Sequence, residues 1–493
     1  MPNKKRLILS NGIIQISIKS ILLLIGLAST FLITKHFGSN GFGYYSVAVN
    51  YIAFFALFAD WGVSTILQRD ILKNEENHNL KHEFIANIIS VKFIFIAITY
   101  IVSLIALFFM RYNQIEVKGI LILIVAQSIS GLSMIFFVIK ASSLDTYTYF
   151  IGELIGRILS FLVIFITISY NLPIIYLFIA ILINNIVIFI FGYFSCIRAN
   201  KIYAAFNKKL VKKIVKESIF IGFVGAIGTI YFKIDALILS LMKSATEVGL
   251  YSLPYKILEI LLFIPGVFMS YIVPQLSKIY SENDTEKIRV LSNLAIKLMS
   301  ITVIPILVGT IVIAPKLIPL FGNNTFTNSN IYIYLFKTHI EANSVIALQI
   351  LSFSILFTFF NYYLGGLFII YSKFKVMMIN NIISAVINIG LNILLIPHFT
   401  FVASAFLTVL GEGIFTVLYL LEIKHVLKLD INMLSVLYPI PAGVIMGIVT
   451  FYLLKQNVIV DILLSGVVYF ALIILFRIVD VKELIIMFYK ENG

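Results

Sequence analysis

The chain has 493 residues, of which 60% are hydrophobic and only 12% charged, with a formal net charge of +14 and a mean hydropathy of +1.04. A soluble domain carries about twice that charged fraction, so this composition excludes a water-soluble core and requires a lipid solvent. The single cysteine, Cys196, excludes a disulfide framework and a cysteine-based metal site.

In chain order, Lys4, Lys5 and Arg6 precede an apolar run over 12–34 that is too long for the core of a cleavable signal. It reads as a first span. Further apolar segments follow at 44–68, 84–110, 119–139, 150–169, 172–196, 217–242, 249–275, 291–314, 343–370, 375–396, 401–423, 434–454 and 458–476. Each is long enough to cross a hydrocarbon layer as a helix, which needs about 20 residues. Open sheets cannot span lipid, and the runs lack the alternation of a barrel. The expectation is an all-α polytopic membrane protein with about fourteen transmembrane helices.

Basic residues sort by connection. One link carries Arg198, Lys201, Lys208, Lys209, Lys212, Lys213 and Lys216. Others on the same side carry Arg69, Lys73 and Lys81; Lys278, Lys287, Arg289 and Lys297; Lys373 and Lys375; Lys424 and Lys428. The opposite side has only Lys35, Arg111, Lys118, Lys243, Lys316, Lys337 and Lys455. Retention of basic loops in the cytoplasm then predicts cytoplasmic N- and C-termini. It also explains the net charge without nucleic acid as a partner. The seven-charge link divides the chain into a first lobe over 1–205, a second over 206–425 and a C-terminal helix pair over 426–493. Gly43-Tyr44-Tyr45-Ser46 and Gly249-Leu250-Tyr251-Ser252 stand at matching points of the two lobes, as in transporters built from repeats.

Ionisable residues within spans are costly and are functional candidates. Lys19, Lys92 and Arg157 lie at one depth in the first, third and fifth spans, and Asp60 descends to the same level in the second. Lys233 and Asp235 occur in the seventh; Lys256 and Glu259, three apart and so on one face, in the eighth. The cations suit an anionic group in a wet cavity, with Lys19, Lys92, Arg157, Lys233 and Lys256 as binding candidates. Asp60, Asp235 and Glu259 are candidates for coupling or ion pairing. Two other readings stand beside this one: lysines snorkel to headgroups, and acid–base pairs lock helices together. Glu412, between Gly411 and Gly413, reads as a helix-packing position, and His398 as interfacial. No phosphate-cradling loop, metal-ligand spacing or catalytic grouping occurs, so the reading is a non-enzyme with no cofactor and no metal.

Several stretches carry a family resemblance. Phe37-Gly38-Ser39-Asn40-Gly41-Phe42-Gly43-Tyr44-Tyr45-Ser46 resembles the first extracytoplasmic turn of Wzx-type polysaccharide flippases, and Asp60-Trp61-Gly62-Val63 with Arg69 the end of their second span. Tyr231-Phe232-Lys233-Ile234-Asp235 and Glu247-Val248-Gly249-Leu250-Tyr251-Ser252 resemble their seventh and eighth spans. Asn388, Leu391-Asn392 and Ile396-Pro397 resemble their eleventh. The chain departs from the family pattern at Phe401-Val402-Ala403-Ser404-Ala405, where the family often has a glycine-alanine run.

The resemblance implies the multidrug/oligosaccharidyl-lipid/polysaccharide (MOP) exporter superfamily. With it come two six-helix lobes around a central cavity, plus two C-terminal helices. It further implies a polyprenyl-diphosphate-linked oligosaccharide as substrate, moved across the bacterial inner membrane for O-antigen (lipopolysaccharide) or capsule assembly. Membrane lipid and a polysaccharide polymerase machinery would be the partners. A cation-coupled multidrug exporter and a membrane polysaccharide polymerase or ligase are the alternatives.

Overall fold

The computed structural model describes residues 2–73, 78–143, 145–197, 203–335, 338–427, 429, 431–453 and 457–478. Seven helices come first: α1 Pro2–Asp60, α2 Val63–Lys73, α3 His78–Phe109, α4 Gln114–Ser142, α5 Tyr147–Ser169, α6 Ile175–Ile197 and α7 Lys208–Met242. Seven more follow: α8 Ala245–Leu261, α9 Phe263–Ser281, α10 Thr285–Phe321, α11 Ser344–Ile370, α12 Phe374–Glu422, α13 Ile440–Leu453 and α14 Val458–Leu475. Each of the fourteen apolar segments overlaps one or two of these helices. Among the described residues, eleven helical runs are long and apolar enough to cross a membrane.

Two of those runs cross twice. α1 has 59 residues, about 88 Å of straight helix, against about 30 Å of hydrocarbon. Gly38 interrupts it at φ 65° and ψ −169°, a conformation glycine adopts without the steric penalty of a side chain. Contacts on either side show the return. Ile18 and Leu22 pack on Phe150 at the start of α5. Ring contacts then join Tyr45 to Phe178 at the start of α6, and the Tyr51 hydroxyl donates to the Ser103 carbonyl late in α3. Farther on, Asp60 meets Lys92 early in α3. α12, with 49 residues, breaks likewise at Thr400 (φ 54°). Its limbs fold together, because Ser404 donates to Asn392 at 3.3 Å, whereas twelve residues of straight helix would separate them by about 18 Å. Residues 401–405, where the chain departs from the family pattern, are buried, and Ser404 supplies a tie that a glycine-alanine run lacks.

The chain divides into two compact units, Met1–Gly249 and Leu250–Gly493. α7 packs on α1, α2 and α3 of the first unit. One end of that unit is closed by a core of Ile66, Phe84, Ile139, Cys196, Val211 and Ile214. At the other end Gly43 and Gly249 lie close together. A Cβ on Gly249 would collide with the Ser39 carbonyl, and one on Gly43 with the Ala245 carbonyl.

In the second unit α13 lies against α10, where Gly443 and Gly447 admit Ile304 and Val308. α14 is tied to α10 by Lys316–Asp461 at 2.9 Å and by the Tyr469 hydroxyl on the Ile301 carbonyl at 2.8 Å. A small antiparallel hairpin, β1 Tyr332–Leu335 and β2 Thr338–Glu341, adds to the all-helical expectation. Its alternating Tyr-Ile-Tyr-Leu favours a strand and is too short to cross lipid.

Candidate functional site

Lys19, Asp60, Lys92 and Arg157, with Glu153, form two groups in the first unit. In one, α1 stops at Asp60, and Trp61 (φ 35°) and Gly62 (φ 78°) break the helix before α2. The break lets the chain bend where Trp61 lies over Gly222 of α7 and stacks on Phe58 at 5.0 Å. Asp60 spans it: Ser64 donates to the Asp60 carboxylate at 2.5 Å from the far side. The same oxygen pairs with Lys92 of α3. Lys92 has no exposed side-chain surface, whereas Asp60 is 39% exposed. The lysine stem runs past Gly131 of α4, where a Cβ would stand at ordinary contact distance, 3.8 Å, from Lys92 Cε. A sealed ammonium needs a counterion, and Asp60 is it.

The second group joins α1 to α5. Lys19 is exposed on α1 and Arg157 is half-buried on α5. Both act electrostatically on Glu153, which lies one helical turn before Arg157 and therefore on the same face. Tyr149, a further turn back, lies within electrostatic range of Glu153, and Tyr45 within range of Arg157. Gly156 allows α6 to come close: a Cβ there would lie 2.9 Å from the Asn184 carbonyl oxygen. The Arg157 Nε and the Asn184 Oδ1 are buried without a hydrogen-bond partner in this structure. Chemically, the group sets two cations within electrostatic range of one carboxylate without a direct ion pair, with guanidinium capacity to spare for an oxyanion.

The level shared by Lys19, Lys92 and Arg157 in the sequence thus resolves into two environments. Lys92 is sealed against Asp60, while Lys19 and Arg157 lie within electrostatic range of Glu153. Glu153 was not singled out from the sequence, because near the start of a span it resembles an interfacial residue; its i, i+4 spacing to Arg157 was the available signal. Lys233 is half-buried and Asp235 buried on α7, and both are engaged by neighbours. Lys256 and Glu259 pair with each other at 2.9 Å on α8, 48% and 31% exposed. Glu412 is buried and accepts from Asn361 at 2.8 Å. Thr416 in turn donates to Asn361 Oδ1 at 2.8 Å, a polar clasp between α11 and α12. His398 is exposed just before the Thr400 turn. Among the described residues no cluster of three or more metal-ligating side chains occurs.

Comparison with known proteins agrees with this architecture. No curated protein sequence matches the chain. Among solved structures, a lipid II flippase, MurJ, in an inward closed conformation superposes with a TM-score of 0.77 at 19% identity, covering 94% of this chain and 99% of its own. An inward-facing multidrug resistance MATE family transporter of the MOP superfamily gives 0.64 at 14% identity, covering 83% and 96%. A MOP superfamily transporter from Pyrococcus furiosus gives 0.52 at 13%, covering 92% and 97%. The MatE family matches residues 221–394, and the family described as polysaccharide biosynthesis protein matches residues 8–280. With more than half of its length matched to the latter, this multi-pass membrane protein has the MOP fold and belongs to the polysaccharide biosynthesis protein family.

Proposed function

We propose that the chain is a flippase that moves polyprenyl-diphosphate-linked oligosaccharide across the bacterial inner membrane, with both termini in the cytoplasm. The observation that carries this reading is the Lys19–Glu153–Arg157 group within the spans of the first unit. A diphosphate brings negative charge into a low-dielectric space, and moving it demands cations that are available without breaking a sealed ion pair. Lys19 and Arg157 meet that demand: neither makes a direct hydrogen bond or ion pair among the described residues, and Glu153 balances only part of their charge. A diphosphate arriving there displaces no strong contact. Family membership over residues 8–280 supports a polysaccharide precursor as cargo. Lys92, held by Asp60, is assigned to helix locking. The polyprenyl tail stays in lipid while the headgroup crosses, and polysaccharide polymerase is the natural consumer of the product.

The test is transport in proteoliposomes. Purified protein should move a fluorescent diphosphate-linked oligosaccharide lipid between leaflets, and Arg157→Ala should slow it strongly. The MatE match over residues 221–394 favours a second reading, cation-coupled export of drugs. Uptake of a cationic dye driven by a proton or sodium gradient, with no lipid movement, would establish that reading and reject the first.

A further inference from the structure

The first turns of α7 carry the densest basic patch in the chain, and their geometry separates it from a mere insertion signal. α7 has 35 residues, about 52 Å of helix, so it exceeds the hydrocarbon layer by about 20 Å. Its start, Lys208–Lys216, precedes the apolar segment that begins at 217. At 100° per residue, Lys208, Lys209, Lys212, Lys213 and Lys216 fall within an arc of about 140°. All five are exposed, whereas Val211, Ile214 and Ser218, nearly opposite, are buried. Val211 and Ile214 belong to the core at that end of the unit.

The arc is uniform in sign and unpaired. The sole carboxylate of this stretch, Glu217, accepts from Arg69 at 2.6 Å. Among the described residues none of the five lysines makes an ion pair. The approach to the helix is fixed against α3. Ala205 N donates to the Ala86 carbonyl at 3.1 Å, Ser90 donates to the Ala205 carbonyl at 2.7 Å, and Asn207 N donates to Asn87 Oδ1 at 2.6 Å. Asn207 then caps α7 by accepting from Lys209 N and Leu210 N. Beside this anchored segment two aromatic side chains stay exposed, Tyr203 at 49% and Phe206 at 66%.

A topogenic signal is read on a nascent segment and depends on how many charges it holds, not on the helix face that carries them. A solvated surface helix mixes signs. A single-signed, outward-facing arc, fixed at the depth where a span leaves lipid and flanked by exposed aromatics, suits the headgroup layer, where aromatic rings and lysines are both favoured. We infer that the lysine face of α7 is a docking surface for anionic phospholipid headgroups of the surrounding leaflet. Each lysine attracts a headgroup phosphate, and Tyr203 and Phe206 enter the interface beside them. The inference does not depend on what the protein transports.

The experiment uses the purified full chain in detergent, offered an equal mixture of phosphatidylglycerol and phosphatidylcholine, with retained lipid identified by native mass spectrometry. Wild type should retain phosphatidylglycerol preferentially. Replacing all five lysines by Gln should cut that preference at least about tenfold, given roughly fivefold per lysine near an anionic surface. Replacement by Arg should preserve it, and Lys278→Gln with Lys373→Gln and Lys375→Gln should leave it unchanged. On wild type alone, salt at about 1 M, where the screening length falls to about 3 Å, should abolish the preference without releasing phosphatidylcholine. A salt-insensitive preference, or one equal in the Gln variant and wild type, overturns the inference. So does a Gln variant that keeps its phosphatidylglycerol but loses a co-purifying acidic protein, since the face would then dock a protein.

Discussion

At the scale of residues, the two partners of the Asp60–Lys92 pair are unequal. Lys92 is fully enclosed and Asp60 is 39% exposed. Removing one partner of a buried pair costs about 3–5 kcal/mol, because the other charge is left uncompensated. The cost falls with the hydration open to the survivor. Asp60→Asn strands a sealed ammonium; Lys92→Met leaves a carboxylate that water can reach and that Ser64 still serves. Asp60→Asn should therefore lower the thermal midpoint more than Lys92→Met, and the reverse order in a melting assay would show that Lys92 is not sealed. At the second group the readout is transport. Arg157→Ala should slow lipid movement by about tenfold to a hundredfold, the worth of a hydrogen bond to a charged group, and Arg157→Lys should fall between Ala and wild type. Equal rates for Ala and Lys would remove bidentate contact from the mechanism.

At the scale of elements, the C-terminal pair α13–α14 is held by close packing and one ion pair. A Cβ on Gly447 would lie 2.6 Å from Val308 Cγ1, so Gly447→Leu should separate α13 from α10. Lys316→Ala should loosen α14, because Asp461 is wholly buried and would lose its counterion. Amide exchange should rise in α13 and α14 while α3–α6 keep wild-type protection; a uniform rise would mean that the pair is integral to the whole fold. The start of α10 responds to pH. Asp284 caps it by accepting from Lys287 N, and the Lys287 ammonium beside it holds the carboxyl below its usual range. A value depressed by folding contributes stability fully above the unfolded pKa and loses it as pH falls through the folded one. Protection of residues 285–289 should decline on acidification below about pH 4. In Asp284→Asn, which caps without charge, it should not change over that range.

At the scale of the whole molecule, the basic asymmetry predicts an inside N-terminus, and thiol labelling tests it. In a Cys196→Ser background, Asn324→Cys should react with an impermeant reagent added outside intact cells, and Asn207→Cys should not. The reverse pattern would invert the orientation. Asn324 begins a short turn after α10, and Asn207 caps α7.

Sequence alone determined the solvent, the helical class, the fourteen spanning segments and the family resemblance. Each rests on a local property: an apolar run of about 20 residues has one stable form in lipid, and motifs such as Asp60-Trp61-Gly62 are contiguous. The chain reversal at Gly38 lies in the stretch 37–46 that resembles the family's first extracytoplasmic turn. The partners of the charges were not visible. Asp60 and Lys92 are 32 residues apart, Lys316 and Asp461 145, and the cations within electrostatic range of Glu153 come from α1 and α5. The physical reason is the solvent. In water, an apolar stripe shows which way a helix faces; in lipid the outer face is as apolar as the core, so the pattern along a span carries no rotation. Only packing set it, as where Gly156 lets Asn184 of α6 come close. The exception is the start of α7. There the chain has left the apolar segment, and the alternation of lysines with Val211 and Ile214 records its orientation in the sequence itself.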